Sequence, residues 1–72
     1  MIEIEAEIAG TVWKIEKAVG DRVKEEEVLL ILESMKMEIP VESPVAGTVA
    51  ELLVAEGDAV AEDDPVVRID PA

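Results

Sequence analysis

The residue with the clearest chemical potential is Lys36, which lies between Met35 and Met37 near the middle of the chain. Its amine can form an amide with a carboxyl group, and a modifying enzyme needs such an amine exposed on a rigid loop. A lone lysine in a turn is ordinarily just solvated. Two methionines beside it are unusual, because they leave flexible apolar side chains in water unless something binds them. We therefore predict that Lys36 is a post-translational attachment site and that the methionines are recognition residues.

Three further residues belong to the same candidate site, namely Glu33, Ser34 and Glu38. They are predicted to complete a tight hairpin that holds the lysine in one geometry. Amide formation would remove the charge of Lys36. With Glu33 and Glu38 beside it, the modified hairpin would become still more acidic.

The rest of the chain offers little for catalysis or metal binding. Histidine and cysteine are absent, so Ser34 and Ser43 have no ordinary base to activate them and no thiolate or imidazole metal site is possible. Two acidic runs, residues 25–27 and 62–64, lack the loop spacing of an EF-hand. They occupy equivalent bends and are predicted to be solvated. Trp13, the only aromatic residue, is expected to be core or half-buried packing.

Composition limits the function classes further. The 72 residues allow one domain, and the net charge of −12 argues against nucleic-acid and anionic membrane partners. No apolar run nears the roughly 20 residues that span a bilayer, and the first residues lack the features of a signal peptide. We expect a cytoplasmic protein. Half of its residues are apolar, so it should fold despite its acidity.

The first part of the chain predicts two short strands. Residues 2–8 alternate apolar and acidic side chains, which indicates a half-buried strand. Its predicted inner face consists of Ile2, Ile4, Ala6 and Ile8. Residues 12–15 indicate a second strand, whose broken alternation predicts a bulge near Trp13.

Further strands are predicted on both sides of the lysine. Val23 is expected to begin a very short strand after a Gly-Asp turn. Residues 28–32 are five consecutive branched aliphatic residues, which indicates a strand buried on both faces or nearly so. Residues 39–42 predict the second arm of the hairpin. Pro40 lacks a backbone donor and therefore favours an edge position.

The sequence contains two copies of one structural unit. A shift of 37 residues without a gap gives nine identities among the 24 pairs that join residues 9–32 to residues 46–69. One unit could not bury its apolar face alone, so the copies should pack about a pseudo-twofold axis as an all-β antiparallel sandwich or flattened barrel. We place copy 1 at about 2–33, the attachment hairpin at 34–38 and copy 2 at about 39–70 of a single domain, residues 1–72. The hairpin's symmetry counterpart is the pair of termini, which are expected at the opposite end.

Residues 33–37, Glu-Ser-Met-Lys-Met, resemble the attachment motif of biotinyl domains, the biotin carboxyl carrier modules of biotin-dependent carboxylases. The likeness extends over nearly the whole chain and is closest to small, free-standing biotinyl attachment proteins. Those domains also repeat an Ala-Gly-Thr-Val element and a Gly-Asp turn, present here at residues 9–12, 46–49, 20–21 and 57–58. The resemblance implies a flattened barrel of two four-stranded sheets, with the lysine on the hairpin between the fourth and fifth strands.

The resemblance also implies a role for Lys36. A biotin protein ligase would join biotin, the one implied cofactor, to its ε-amine. A biotin carboxylase would then load carboxylate, and the domain would carry it to a carboxyltransferase that serves an acceptor such as an acyl-CoA. The chain would be a non-catalytic carrier, monomeric as an isolated domain, whose tether replaces diffusion with a high effective concentration.

Two alternatives stay open at this stage. A lipoyl domain shares the fold and the lysine hairpin but usually has Asp-Lys-Ala where this chain has Met-Lys-Met. An unmodified assembly module would use the acidic surface to dock on basic enzymes and would carry no cofactor. A stand-alone enzyme ranks last, because no acid, base and nucleophile form a plausible set.

Overall fold

The computed structural model describes residues 1–72 as an all-β sandwich of two four-stranded antiparallel sheets. Its strands are β1 (Ile2–Glu5), β2 (Gly10–Ile15), β3 (Arg22–Val23), β4 (Val28–Ser34), β5 (Met37–Glu42), β6 (Gly47–Leu52), β7 (Ala59–Val60) and β8 (Pro65–Pro71). The strand orders are β1-β8-β6-β3 and β5-β4-β2-β7, so the sheets are not closed into a barrel. The structure has no helix that is long and apolar enough to cross a membrane.

The two sheets are related by the internal repeat. Each strand of one sheet corresponds to the strand four places later in the other, where β1 is counted again after β8. The order β1-β8-β6-β3 thereby becomes β5-β4-β2-β7. Each sheet therefore takes two strands from each half of the chain. Four of the six strand pairs join the halves, and only β2 with β4 and β6 with β8 pair within one half.

The first strand is shorter than predicted. It ends at Glu5, and although Ala6 is buried as expected, Ile8 is 39% exposed and was wrongly placed on the inner face. Ala6 exchanges backbone hydrogen bonds with Asp63 and Asp64, and the chain then bends at Glu7 and Ile8. The bend ends the alternation of faces, which is why the apolar pattern overextended the strand.

The other strand predictions are confirmed with small changes of length. The register between β2 and β4 shifts between Val12 and Lys14, which places the predicted bulge at Trp13. Three residues of β4 are completely buried, namely Leu29, Leu30 and Leu32. β5 is an edge strand, as Pro40 predicted.

One apolar cluster fills the space between the sheets. Its 13 buried members include residues of both halves, such as Leu32 and Ile69 at equivalent positions. The buried hydroxyl of Ser43 donates to the carbonyl oxygen of Val45 at 2.6 Å, so burial leaves it satisfied. The core holds both sheets in a fixed relation and thereby fixes the hairpins at their ends.

Four turns share one hydrogen-bond pattern. In each turn, the side-chain carboxylate of the last residue accepts a hydrogen bond from the backbone N–H of the first residue, three positions earlier. The backbone N–H of the last residue in turn donates to the carbonyl oxygen of the first. The four carboxylates belong to Asp21, Glu27, Asp58 and Asp64. The residue before each has a positive φ: Gly20, Glu26, Gly57 and Asp63. The turns that open at Ala18 and Ala55 are the predicted Gly-Asp turns, and the acidic runs form the other two.

Candidate functional site

The predicted hairpin joins β4 to β5 through a two-residue turn. Ser34 pairs with Met37, and Met35 and Lys36 form the turn between them. Their φ values are 51° and 66°, the positive pair that defines the type I′ turn of tight hairpins. Such turns favour Asn-Gly, and a left-handed residue with a Cβ costs about 1–2 kcal/mol. The lysine is thus held in a strained, single backbone geometry.

Gly10 lets β2 support the base of this hairpin. A Cβ at Gly10 would lie 2.6 Å from the carbonyl oxygen of Glu33 and 3.4 Å from Cβ of Ser34. Only glycine allows β2 to approach so closely. Because β4 is paired with β2 on one side and with β5 on the other, Glu33 is held from both sides, by Thr11 and Glu38.

The side chains of the turn point into solvent. Met35 is 92% exposed and Met37 is 64% exposed. Lys36 is also exposed and forms no ion pair, since the four ion pairs in the structure join Lys14 to Glu16, Lys17 to Glu27, and Arg68 to Glu3 and Glu51. The predicted site residues are thereby brought together at one end of the molecule, with Ser34 partly buried and the others accessible.

Glu33 and Glu38 lie directly opposite each other at the base of the turn. Both are exposed and neither forms an ion pair. Like charges at directly opposite positions of an antiparallel pair destabilise it. The two carboxylates place negative charge at the base of the turn that carries Lys36.

The chemistry available at this end is that of a free amine acting as a substrate. None of the surface cavities is lined by Met35, Lys36 or Met37, and the two turn residues, Met35 and Lys36, supply no acid, base or nucleophile besides the amine itself. The acidic runs, residues 25–27 and 62–64, form turns, and neither belongs to a group of three side chains that could hold a metal ion. They are not merely solvated, because Glu27 and Asp64 each hold a turn together.

The termini lie at the other end. Ile2 pairs with Ile69, and the N–H of Ala72 donates to the carbonyl of Ala46. Ala72 and Glu27 line the same surface cavity, and Glu27 immediately precedes β4, whose far end carries the hairpin. The predicted separation of termini and lysine is therefore present in the structure.

Comparison with known proteins identifies the family of the chain. The profile of the biotin/lipoyl family, described as "Biotin-requiring enzyme", matches residues 1–69. The chain belongs to the biotin/lipoyl family. The family was predicted from the Met-Lys-Met motif and the repeated turn elements, and the match confirms it.

Two curated relatives are small proteins. The chain is 42% identical over 38 residues to the biotin/lipoyl attachment protein of Bacillus subtilis. It is 46% identical over 39 residues to the biotinylated protein TB7.3 homolog of Mycobacterium leprae. The matches span about half of this chain and about half of each relative.

Two solved structures share the fold over nearly the whole chain. Urea carboxylase of Kluyveromyces lactis matches with a TM-score of 0.92 and 35% identity over 96% of this chain, which corresponds to 6% of that enzyme. The lipoyl domain of the 2-oxoglutarate dehydrogenase complex of Azotobacter vinelandii matches with a TM-score of 0.81 and 28% identity over 97% of this chain and 96% of that domain. The structural neighbours thus include both a carboxylase and a lipoyl domain.

Proposed function

We propose that the chain is a biotin carboxyl carrier and that biotin is attached through an amide to Nζ of Lys36. The observation that carries the proposal is the placement of an exposed, unpaired amine at the tip of a strained two-residue turn. An amide requires a primary amine that a modifying enzyme can reach, and the lysine meets that requirement. The other hairpin residues hold the amine in position: Glu33 and Ser34 from β4, and Met37 and Glu38 from β5.

Attachment would proceed at the amine itself. A biotin protein ligase would present the carboxyl carbon of biotin, activated by ATP as an acyl adenylate. Nζ of Lys36 would form the new C–N bond to that carbon, AMP would leave from it, and the amine would lose a proton. Met35 and Met37 would offer the ligase two exposed apolar contacts on either side of the reacting atom.

Once attached, biotin would supply a group that accepts a carboxylate in one active site and releases it in another. The chain's own contribution is position, because the rigid hairpin raises the effective concentration of the arm near each enzyme. A biotin carboxylase and a carboxyltransferase are the proposed partners. The similarity to urea carboxylase supports a carboxylase context, while the acceptor substrate follows from the enzyme served and not from this chain.

Four further inferences accompany this proposal. The 72 residues act as one attachment domain, monomeric when isolated, and they function in the cytoplasm. The chain itself performs no catalysis.

The proposal is tested by intact-mass measurement after coexpression with a biotin protein ligase. We expect one biotinyl group per chain, located at Lys36 by fragmentation, and none on the Lys36→Arg variant. Lys14, Lys17 and Lys24 are present in both proteins and serve as internal controls for non-specific acylation. An unmodified wild-type chain, or modification of another lysine, would refute the assignment.

Lipoate is the second candidate because the lipoyl domain covers nearly the same length with the same fold. Coexpression with a lipoate ligase under identical conditions separates the two cofactors. Methionines in place of the usual Asp and Ala favour biotin. An octanoyl or lipoyl group as the only adduct would replace biotin with lipoate in this proposal.

A further inference from the structure

The internal repeat gives each outer-face position of one sheet a counterpart on the other. On the β1-β8-β6-β3 sheet, Arg68 lies opposite both Glu3 and Glu51. Its Nε lies 3.1 Å from Glu3 Oε2, and its Nη1 lies 2.9 Å from Glu51 Oε1. This row of three charges faces outward because its neighbours in β8, Val67 and Ile69, are completely buried. This face of the sheet is therefore polar and solvated.

The counterpart row on the other sheet carries one charge, that of Lys14, in place of three. Ile31 replaces Arg68 and lies opposite both Pro40 and Lys14 in the same register. Beside Lys14, the bulge carries Trp13, which is 48% exposed and has the small residue Ala50 as its counterpart. We call Trp13, Ile31 and Pro40 the outer strip. Since the fold tolerates a charged row at these positions, architecture does not require the strip.

Two glutamates without a cationic partner lie between the outer strip and Lys36. Glu33 and Glu38 form the next outward row toward the turn, and they face each other without a cation. Their counterparts are Asp70 and Met1, which create no such conflict. Opposed carboxylates destabilise a strand pair. A basic group supplied from outside would relieve that repulsion, so the row complements a positively charged partner.

We propose that the outer strip and the Glu33–Glu38 row form the docking surface for the enzyme that acylates Lys36. The partner would present an apolar patch to the strip and Lys or Arg side chains to the two glutamates. This inference rests on the proposed attachment function. An enzyme that reacts with Nζ must bring its own surface to the turn, and Ile31 lies only about 10 Å along β4 from Ser34 at a rise of about 3.3 Å per residue.

Docking would use side chains and not an added strand. β5 forms the exposed edge of this sheet, but Pro40 in its middle has no N–H to donate to a partner strand. The available contacts are therefore an aromatic ring, two apolar side chains and two carboxylates on a rigid face. Exposed aromatic residues that become buried typically dominate the affinity of such surfaces.

The test compares serine substitutions at equivalent positions of the two sheets. The docking variant is Trp13→Ser/Ile31→Ser, and the matched control is Ala50→Ser/Arg68→Ser. The initial rate of biotin transfer from biotin and ATP by the host's biotin protein ligase is measured against the concentration of the 72-residue chain. We expect KM to rise about tenfold in the docking variant, equivalent to about 1.4 kcal/mol of binding, with kcat within about twofold, and the control to resemble wild type.

Charge and folding are examined separately. Glu33→Gln/Glu38→Gln should raise KM at low salt and flatten its dependence on ionic strength, because the removed attraction is screened by salt. Circular dichroism establishes that each variant is folded, and Ile31→Thr, which keeps a β-branched side chain, replaces the double variant if that one unfolds. An unchanged KM in a folded strip variant, or an equal rise in the control, overturns the docking surface. A wild-type chain that the ligase does not modify overturns the attachment function as well.

Discussion

The two ends of the sandwich have the same strand register but different closures. At the hairpin end, β4 and β5 are joined by Met35 and Lys36 in left-handed conformations. At the open end, the equivalent strands β8 and β1 pair through Ile69 and Ile2 and need no turn at all. Because the open end is satisfied without a turn, the identity of the hairpin residues is not dictated by the sheet. The strain is located where function can use a fixed geometry.

The largest effects should come from the glycine at the base of each end. A Cβ atom at Gly10 would clash with the carbonyl oxygen of Glu33, and a Cβ atom at Gly47 would clash with that of Asp70. We expect alanine at either position to lower the free energy of unfolding by about 1–3 kcal/mol, measured by urea denaturation. Gly10→Ala should cost more, because Glu33 is paired with strands on both sides while Asp70 is paired with β6 alone. An equal or greater cost at Gly47 would show that the open end is at least as rigid as the hairpin end.

Relieving the turn should stabilise the hairpin end. The substitution Met35→Asn/Lys36→Gly installs the preferred type I′ pair and should raise the free energy of unfolding by about 1–2 kcal/mol. Attachment would be lost with the lysine, so the variant would exchange function for stability. The absence of any gain in urea denaturation would mean that the turn is not strained.

Leucine at the two methionines should affect function and leave the fold unchanged. Met35→Leu and Met37→Leu keep the side-chain volume, and both positions are exposed. We expect the free energy of unfolding to change by less than about 0.5 kcal/mol, with any effect appearing in the rate of biotin attachment. A large drop in melting temperature would instead show that the methionines stabilise the end of the sandwich.

The smallest effect should come from an ion pair near the open end. The hydrogen bond from Lys17, followed by that from the Lys24 N–H, lowers the pKa of Glu27, and the same hydrogen bond to Glu27 raises the pKa of Lys17. The stabilisation by Glu27 is complete above its unfolded pKa of about 4.3 and is lost as the pH falls through the lower folded value. That by Lys17 is complete below about pH 10.4 and is lost as the pH rises through its higher folded value.

Glu27→Gln should therefore lower the melting temperature slightly at neutral pH, and the difference from wild type should close in acid. The matched control is Asp64→Asn at the equivalent turn, whose carboxylate accepts the same backbone hydrogen bond but forms no ion pair. A difference between Glu27→Gln and wild type that persists at pH 2, well below the unfolded pKa, would contradict an ionic origin.

The local pattern of apolar residues predicted most of the strands. The features that it missed depend on contacts between segments far apart in the sequence. Alternation located β1 and the broken alternation located the bulge at Trp13, because both depend on neighbouring residues alone. The exposure of Ile8 was missed because a bend, set by hydrogen bonds from Ala6 to a distant turn, ended the alternation. Such a bond depends on which segments meet in space.

The candidate site was also predicted only in part. The position of Lys36 on a hairpin between repeats followed from the sequence, and the placement at the end opposite the termini followed from symmetry. The left-handed pair was not foreseen, since Met-Lys lacks the Asn-Gly signature of a type I′ turn. The apolar outer strip was also missed: the repeat aligns Ile31 with Arg68, but only the register shows that both lie outward at the centre of a row.

The exchange of strands between halves has a consequence for how the protein folds. Four of six strand pairs cross from one half to the other, so a chain emerging from the ribosome cannot complete one sheet before β7 is synthesised or the other before β8 is synthesised. Neither repeat can be a folding intermediate by itself, and contacts between residues far apart in sequence should make folding slow for so small a chain. The lysine hairpin, built from adjacent residues, is the contact between the two halves that closes the shortest loop, and it can therefore form first.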